Sequence, residues 1–146
     1  MKKLSLLGVL ALAGCCFFGE GGKDAVTAVS PDGKNEIRLW TNPLAYEVVR
    51  DGKVLVAKTA IGMKVDGKCL SRAGEDAPAP IVERREVSGT ADAPVYKKAK
   101  VDLTGNETFA DFGDWGVRLV ARNDGVAYRF ETRRSGEITV QGKGAA

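Results

Sequence analysis

Apolar and polar residues alternate along the chain from Ala25 onward with a period of two residues. Val26 and Ala28, then Ile37 and Leu39, are separated by single polar or small neighbours. This alternation is typical of β-strands that bury one face. It predicts short strands over residues 35–41, 45–50, 53–57 and 60–65, followed by polar, edge-type strands over residues 81–87 and 97–103.

Aspartate–glycine pairs separate several of these segments. They occur at Asp32-Gly33, Asp51-Gly52 and Asp66-Gly67, and within the Asn-Asp-Gly sequence of residues 123–125. Because this dipeptide supplies the positive φ angles of tight hairpin turns, each pair predicts a turn between antiparallel strands. Residues 71–80 show no periodicity and are predicted to form an exposed loop.

The clearest hairpin is the last one, with strands predicted over residues 115–122 and 126–132. Val117 and Leu119 share one face of the first of these strands. Before them, the Asn-Glu-Thr sequence of residues 106–108 is interpreted as a turn that leads into a strand. No segment after the leader has an apolar stripe with a period of 3.6 residues, so we predict an all-β fold, an antiparallel β-sandwich.

The first residues have the pattern of a secretory signal peptide. Two lysines precede an apolar run over residues 4–13, which is too short to span a bilayer. The run ends in Leu-Ala-Gly before Cys15 and resembles a bacterial lipobox, so we predict a lipoprotein signal peptide over residues 1–14 and lipid attachment at Cys15. Ordinary cleavage with an unmodified Cys15 is the alternative. The glycine-rich residues 15–24 are predicted to be a flexible tether, and the protein is expected to be exported and lipid-anchored, in the periplasm or at the outer membrane.

The composition excludes several kinds of active site. The chain has no histidine, which excludes Ser-His-Asp and Cys-His catalysis and zinc sites that use histidine. Three cysteines cannot supply the four thiolates of a Cys-only zinc site, although Cys16 and Cys69 could pair in an oxidising compartment. The leader carries two lysines and no acidic residue, so its removal lowers the net charge from +3 to +1. Nucleic acid is therefore not an expected partner.

Two sets of residues are candidates for catalysis or binding. Asp111 and Asp114 flank a glycine turn and come nearest to the carboxylate pair that glycoside hydrolysis requires, but turn aspartates more often accept hydrogen bonds from backbone N–H groups. Trp40, Tyr96 and Trp115 are weak candidates for stacking on sugar rings. Aromatic residues on strands more often pack in the core or against a cross-strand neighbour.

Four segments, taken in order, resemble the opening of glycoside hydrolase family 97. The resemblance covers residues 25–140 and implies a β-sandwich of the mutarotase-like type. Members of this family are exported bacterial α-glucosidases and α-galactosidases, often lipoproteins, in which this sandwich precedes a catalytic (β/α)8 barrel and a small C-terminal β domain, with calcium near the active site. The segments are Val-Ser-Pro-Asp-Gly-Lys at 29–34, Tyr-Glu-Val-Val-Arg-Asp-Gly-Lys at 46–53, Ala-Ile-Gly-Met at 60–63 and Val-Arg-Leu-Val-Ala-Arg-Asn-Asp-Gly-Val-Ala-Tyr-Arg-Phe at 117–130.

The resemblance implies that residues 25–146 are a partial N-terminal sandwich domain, incomplete because the chain stops before the rest of the sandwich and the barrel. Such a domain is expected to leave apolar faces or strand edges without partners. No catalytic or calcium-binding residue of the family can be carried onto a position of this chain. We therefore expect no catalytic residue, metal or cofactor here, with calcium implied only for the complete enzyme.

The resulting hypothesis is an N-terminal module of an exo-acting α-glycosidase in carbohydrate metabolism that is inactive alone. Its implied partners are α-linked glucosides or galactosides bound through the full-length enzyme, the absent barrel, and the membrane through lipid on Cys15. The alternative is a lipid-anchored carbohydrate-binding module that uses exposed aromatic side chains.

Overall fold

Every regular element in the described part of the chain is a β-strand, as the alternation predicted. The structure, a computed structural model, describes residues 25–71, 79–93 and 99–145. The strands in these ranges are β1 (Ala25–Val29), β2 (Asn35–Thr41), β3 (Leu44–Arg50), β4 (Lys53–Val65), β5 (Lys68–Leu70), β6 (Ile81–Val87), β7 (Thr90–Asp92), β8 (Lys100–Asp102), β9 (Gly105–Asp111), β10 (Trp115–Arg122), β11 (Gly125–Thr132) and β12 (Val140–Ala145).

The first sheet is an antiparallel meander in the order β1-β2-β3-β4, with β12 next to β4. The short strand β5 also pairs with β4. Ile37 and Leu39 of β2 are buried, whereas Arg38 between them is only partly covered. The register places Val26 opposite Leu39 and Ala28 opposite Ile37, so these four side chains share the inner face of the sheet.

The second sheet has the order β11-β10-β9-β6, and all its pairings are antiparallel. The predicted polar strand over residues 81–87 is confirmed as β6, at one edge of this sheet. Val117 and Leu119 of β10 lie opposite Phe130 and Tyr128 of β11, so all four point inward. A separate two-stranded ladder pairs β7 with β8. The predicted strand over residues 97–103 is described from residue 99 onward, and β8 (Lys100–Asp102) lies in that part.

The two sheets pack face to face with a sideways offset, which confirms the predicted sandwich. The main contacts join β1 and β2 to β9, β10 and β11, so β6 extends past β1 on one side and β4 extends past β11 on the other. Each fully buried aliphatic side chain in this interface stabilises the fold by about 1.5–3 kcal/mol. The core consists of Val26, Ala28, Ile37, Leu39, Leu44, Ile61, Ala110, Val117, Leu119 and Ala121.

The aspartate–glycine turns only partly have the predicted geometry. Both residues of the turns at 51–52 and 66–67 have positive φ, as predicted, and after β1 Gly33 alone does, at 73°. In the described turn at residues 123–125 no residue has a positive φ, so the predicted backbone conformation was wrong there. The hairpin itself is confirmed, because β10 and β11 pair along their whole length.

Two interpretations of segments along the chain were wrong. Residues 53–57 and 60–65 belong to one strand, β4, because register shifts in its pairing with β3 let it continue past the polar residues Lys58 and Thr59. Residues 106–108 are not a turn but lie inside β9, paired with both β6 and β10. Their inward side chains are polar, so the alternation that marks the other strands is absent.

Some apolar strand surface is uncovered in the described part of the chain. Val54 and Leu55 of β4 are 54% and 63% exposed, and Ile81 of β6 is 71% exposed. All three lie on the strands that extend past the facing sheet.

Candidate functional site

The first and last of the segments that carry the family resemblance meet at one end of the sandwich. The side-chain amide Nδ2 of Asn35 donates to the carbonyl oxygens of Arg122 and Asn123, at 2.8 and 3.0 Å. The backbone N–H of Asp32 donates to Asn123 Oδ1 at 3.1 Å, and that of Asn35 donates to the Ser30 hydroxyl at 2.9 Å. These residues join the first turn of one sheet to the last turn of the other, so their role in this chain is to fix the relative position of the two sheets.

Trp40 lies on the outer face of the first sheet, because it alternates with the inward Leu39. Its ring is half-buried, and the ammonium of Lys58 lies 4.2 Å from the ring centroid. Among the described residues its buried indole Nε1 has no hydrogen-bond partner. A sugar that stacked on the outward ring face would have to displace the Lys58 cation–π contact.

Trp115 packs within an aromatic cluster at the margin of the core. Its ring centroid lies 4.5 Å from that of Phe112 in a stacked arrangement and 6.0 Å from that of Phe130. These contacts are of the packing kind, and the half-buried ring lies against the core residues. The other two predicted site residues, Tyr96 and the lipid-attachment residue Cys15, lie outside the described residues, as does Cys16. Cys69 is exposed on β5.

Asp111 and Asp114 do not form an open carboxylate pair. Asp111 is buried, and its Oδ1 accepts a hydrogen bond from the Gly113 N–H at 2.8 Å, while its Oδ2 accepts from the Arg133 guanidinium. Asp114 is exposed, and its carbonyl oxygen accepts from the Arg133 N–H at 3.0 Å. Asp111 thus caps the backbone of the turn in the way that turn aspartates commonly do.

A ladder of ion pairs crosses the outer face of the second sheet. Arg118 lies between Glu131, with Nε and Oε1 2.6 Å apart, and Glu107, with Nη1 and Oε2 3.4 Å apart. Arg85 extends the ladder to β6, at 2.6 Å from Glu107, and Arg129 lies 2.7 Å from Glu131. Hydrogen bonds from Arg118, and then from Arg129, lower the pKa of Glu131 to about 2 despite partial burial. The glutamate therefore stays ionised near neutral pH.

The same pairing applies to every carboxylate that the described part of the chain buries wholly or partly. Each one lies within ion-pair distance of an arginine, so each of these side chains has a structural partner in the sheets. These residues are Glu36, Glu47, Glu107, Asp111 and Glu131.

The sideways offset of the sheets creates a groove of about 720 Å³ between the outer edge of β1 and the inner face of β6 and β9. At its floor, Asn106 Nδ2 donates to the Val29 carbonyl at 2.8 Å and Thr108 Oγ1 donates to the Thr27 carbonyl at 3.0 Å. We call this feature the edge groove. The sequence interpretation missed it because residues 106–108 were assigned to a turn, and the partners of Asn106 and Thr108 are carbonyl oxygens of β1, far away in the chain.

Neither a metal site nor a membrane span is found in the part of the chain that the structure describes. No three Asp, Glu or Cys side chains in these ranges come close enough together to hold a metal ion. The calcium implied by the family resemblance therefore has no ligand cluster among the described residues. No helix in these same ranges has the length and apolar character needed to cross a bilayer.

A family model and a named relative both match most of this chain. The family model described as "Glycosyl-hydrolase 97 N-terminal" matches residues 28–145. A protein named retaining alpha-galactosidase from Bacteroides thetaiotaomicron is 29% identical over 132 residues, which cover 89% of this chain and 19% of that protein.

Solved structures share the fold at low sequence identity. A glycoside hydrolase family 97 enzyme from Pseudoalteromonas sp. strain K8, solved in complex with acarbose, matches 82% of this chain and 20% of its own with a TM-score of 0.66 and 19% identity. A beta-arabinopyranosidase matches with the same TM-score and identity over 81% of this chain and 20% of its own. The chain thus spans about a fifth of the length of these relatives.

Proposed function

The chain belongs to the glycosyl-hydrolase 97 N-terminal family, and from this we propose that it serves as the N-terminal β-sandwich module of an exo-acting α-glucosidase or α-galactosidase. In this proposal the module packs beside a catalytic (β/α)8 barrel that lies outside the described residues, and the module does not hydrolyse glycosides alone. A relative named as a retaining alpha-galactosidase and a structural neighbour solved with acarbose support α-linked glycosides as the substrates of the whole enzyme.

The observation that carries the non-catalytic role is the pairing of the shielded carboxylates with arginines. Glu131 has a pKa lowered to about 2, which is the opposite of what a proton donor to a glycosidic oxygen requires. Asp111 is buried between the Gly113 N–H and Arg133, so neither of its oxygens faces an open cleft. The arrangement stabilises the sheets and engages each shielded carboxylate of the described residues with an arginine.

The direct test is hydrolysis by the purified chain. We expect no release of p-nitrophenol from p-nitrophenyl α-glucoside or α-galactoside above the buffer rate, with the Bacteroides α-galactosidase as the positive control. Turnover by the chain that is lost in Asp111→Asn or Asp114→Asn variants would overturn the non-catalytic role.

We further propose that the module is exported and attached to a membrane through lipid on Cys15. The support is the position of this cysteine directly after an apolar leader that ends in Leu-Ala-Gly. Metabolic labelling with palmitate should mark the protein in a bacterial host, and Cys15→Ser should abolish the label while the matched Cys16→Ser variant keeps it. Equal labelling of both variants would refute attachment at Cys15.

A further inference from the structure

The edge groove differs from the rest of the surface in how its charges are arranged. Arg84 and Glu86 of β6 point to the inner side of the sheet, because Arg84 lies opposite Thr108 and Glu86 lies opposite Asn106. Both charged side chains are exposed, and neither forms an ion pair with another described residue. The neighbouring Arg85, by contrast, points to the outer face and belongs to the ion-pair ladder.

The register brings Arg84, Glu86, Asn106 and Thr108 together in a compact polar patch on the inner side of β6 and β9. Side chains directly opposite across two antiparallel strands have Cβ atoms about 4.5–5.5 Å apart, and successive same-face residues on one strand lie about 7 Å apart. Asn106 and Thr108 are held in place by their hydrogen bonds to the β1 carbonyls. The partly exposed amide of Asn106 is therefore fixed before any ligand arrives, which reduces the entropy cost of binding.

The chemistry of the groove selects the class of ligand. The charged side chains that face into it are those of Arg84 and Glu86, whereas Arg85 and Glu107 point to the outer face and pair with each other. The apolar members of the lining are alanines and one valine. Balanced charge disfavours a strongly ionic ligand, and the absence of aromatic or large apolar residues from this lining disfavours an apolar ligand. Guanidinium donors, a carboxylate acceptor and a side-chain amide together complement hydroxyl groups, which both donate and accept hydrogen bonds.

We propose that the edge groove is a non-catalytic binding site for a neutral sugar, recognised by Arg84, Glu86 and the fixed side-chain amide of Asn106, with the buried Thr108 anchoring the floor to β1. The volume of about 720 Å³ lies within the range of about 300–1,000 Å³ for small-ligand sites. The expectation that this sugar is α-linked rests on the proposed function. The site itself rests on the groove and its polar patch.

Inward-pointing charges at a sheet edge also protect the edge from pairing with other strands, so the experiment separates the two roles. The chain is titrated with maltose and with melibiose while amide chemical shifts of β6 and β9 are followed, and the sedimentation of each variant is measured in parallel. Glu86→Ala is compared with Glu83→Ala, which removes an exposed carboxylate from the same strand but from its outer face.

We expect saturable shifts confined to the edge groove, with affinity about tenfold weaker in Glu86→Ala and in Arg84→Ala and unchanged in Glu83→Ala. All three variants should sediment in the same way as the parent chain. The proposal is overturned by the absence of saturable shifts at about 100 mM of either sugar, by equal weakening in Glu83→Ala and Glu86→Ala, or by self-association of Glu86→Ala with unaltered sugar affinity. None of these results bears on the hydrolysis assay, so the proposed function is judged separately.

Discussion

Gly116 is the position at which a single methyl group is expected to disturb the second sheet most. An added Cβ at this site in β10 would collide with Phe109 Cζ and would lie 2.5 Å from Phe109 Cε2 and 2.8 Å from the Ala110 carbonyl oxygen. The Phe109 ring is 6% exposed, and the Arg118 guanidinium lies over it at 4.8 Å from the centroid. The ring fills the space above the glycine and is itself covered by Arg118.

The expected magnitude follows from two opposing effects. Replacing glycine by alanine in a strand favours folding by about 0.5–1 kcal/mol through the lower entropy of the unfolded chain. Displacing a packed ring and a strand backbone costs about 3 kcal/mol, at the upper end of overpacking effects. We therefore expect Gly116→Ala to lower the free energy of unfolding by about 2 kcal/mol, which moves the urea midpoint down by about 1–1.5 M.

The assay is urea unfolding followed by tryptophan fluorescence, with Gly125→Ala as the matched control. A Cβ at Gly125 meets no atom within 4 Å and its φ is not positive, so this variant should be neutral or slightly more stable. In the double variant Phe109→Leu, Gly116→Ala, the smaller leucine side chain relieves the contact with the new Cβ. The loss of stability in the double variant should therefore be at least about 1 kcal/mol smaller than the sum of the losses in the two single variants. A Gly116→Ala stability within about 0.5 kcal/mol of the parent, or strict additivity in the double variant, would refute the packing argument.

Two further predictions concern stability. Because the pKa of Glu131 is lowered from 4.5 to about 2, its ion pairs stabilise the fold fully above about pH 4.5. This contribution, about 1–2 kcal/mol after solvent screening, should be lost as the pH falls toward 2. Glu131→Gln should flatten that part of the stability–pH curve measured by thermal unfolding, and an unchanged curve would contradict the lowered pKa. Asn35→Ala removes two hydrogen bonds to the carbonyls of Arg122 and Asn123 from a side chain that is 4% exposed, and should cost about 2 kcal/mol in urea unfolding. Asn123→Ala, which loses one bond at an exposed site, should cost less than about 1 kcal/mol, and a reversed order of the two costs would contradict this interpretation.

The alternating pattern predicted the strands that bury an apolar face. The segments at 35–41 and 115–122 are strands with the predicted bounds, because every second residue there contributes to the core. The pattern failed for β9, which lies between two strands of the second sheet. Its inward positions include Asn106 and Thr108, whose partners are carbonyl oxygens of β1, and such a contact between distant parts of the chain leaves no periodic trace in the sequence.

The candidate site was less predictable than the fold for a related reason. The aromatic candidates were chosen by residue type, and the structure covers Trp40 with Lys58 and places Trp115 in an aromatic cluster. The edge groove depends on how far one sheet is displaced over the other. That displacement is set by contacts between residues far apart in the chain, so residue spacing on single strands does not reveal it.

The amide of Asn35 also bears on the order in which the module assembles. Within each sheet most strands are joined by short hairpins, whose contacts close small loops and form early. The bonds from Asn35 join residues 87 and 88 positions apart, so they form only when the two completed meanders dock. A contact that is absent from the folding transition state affects mainly the unfolding rate. We therefore expect the side chain that joins these two turns to determine mainly how long the native module lasts, with little influence on how fast it folds.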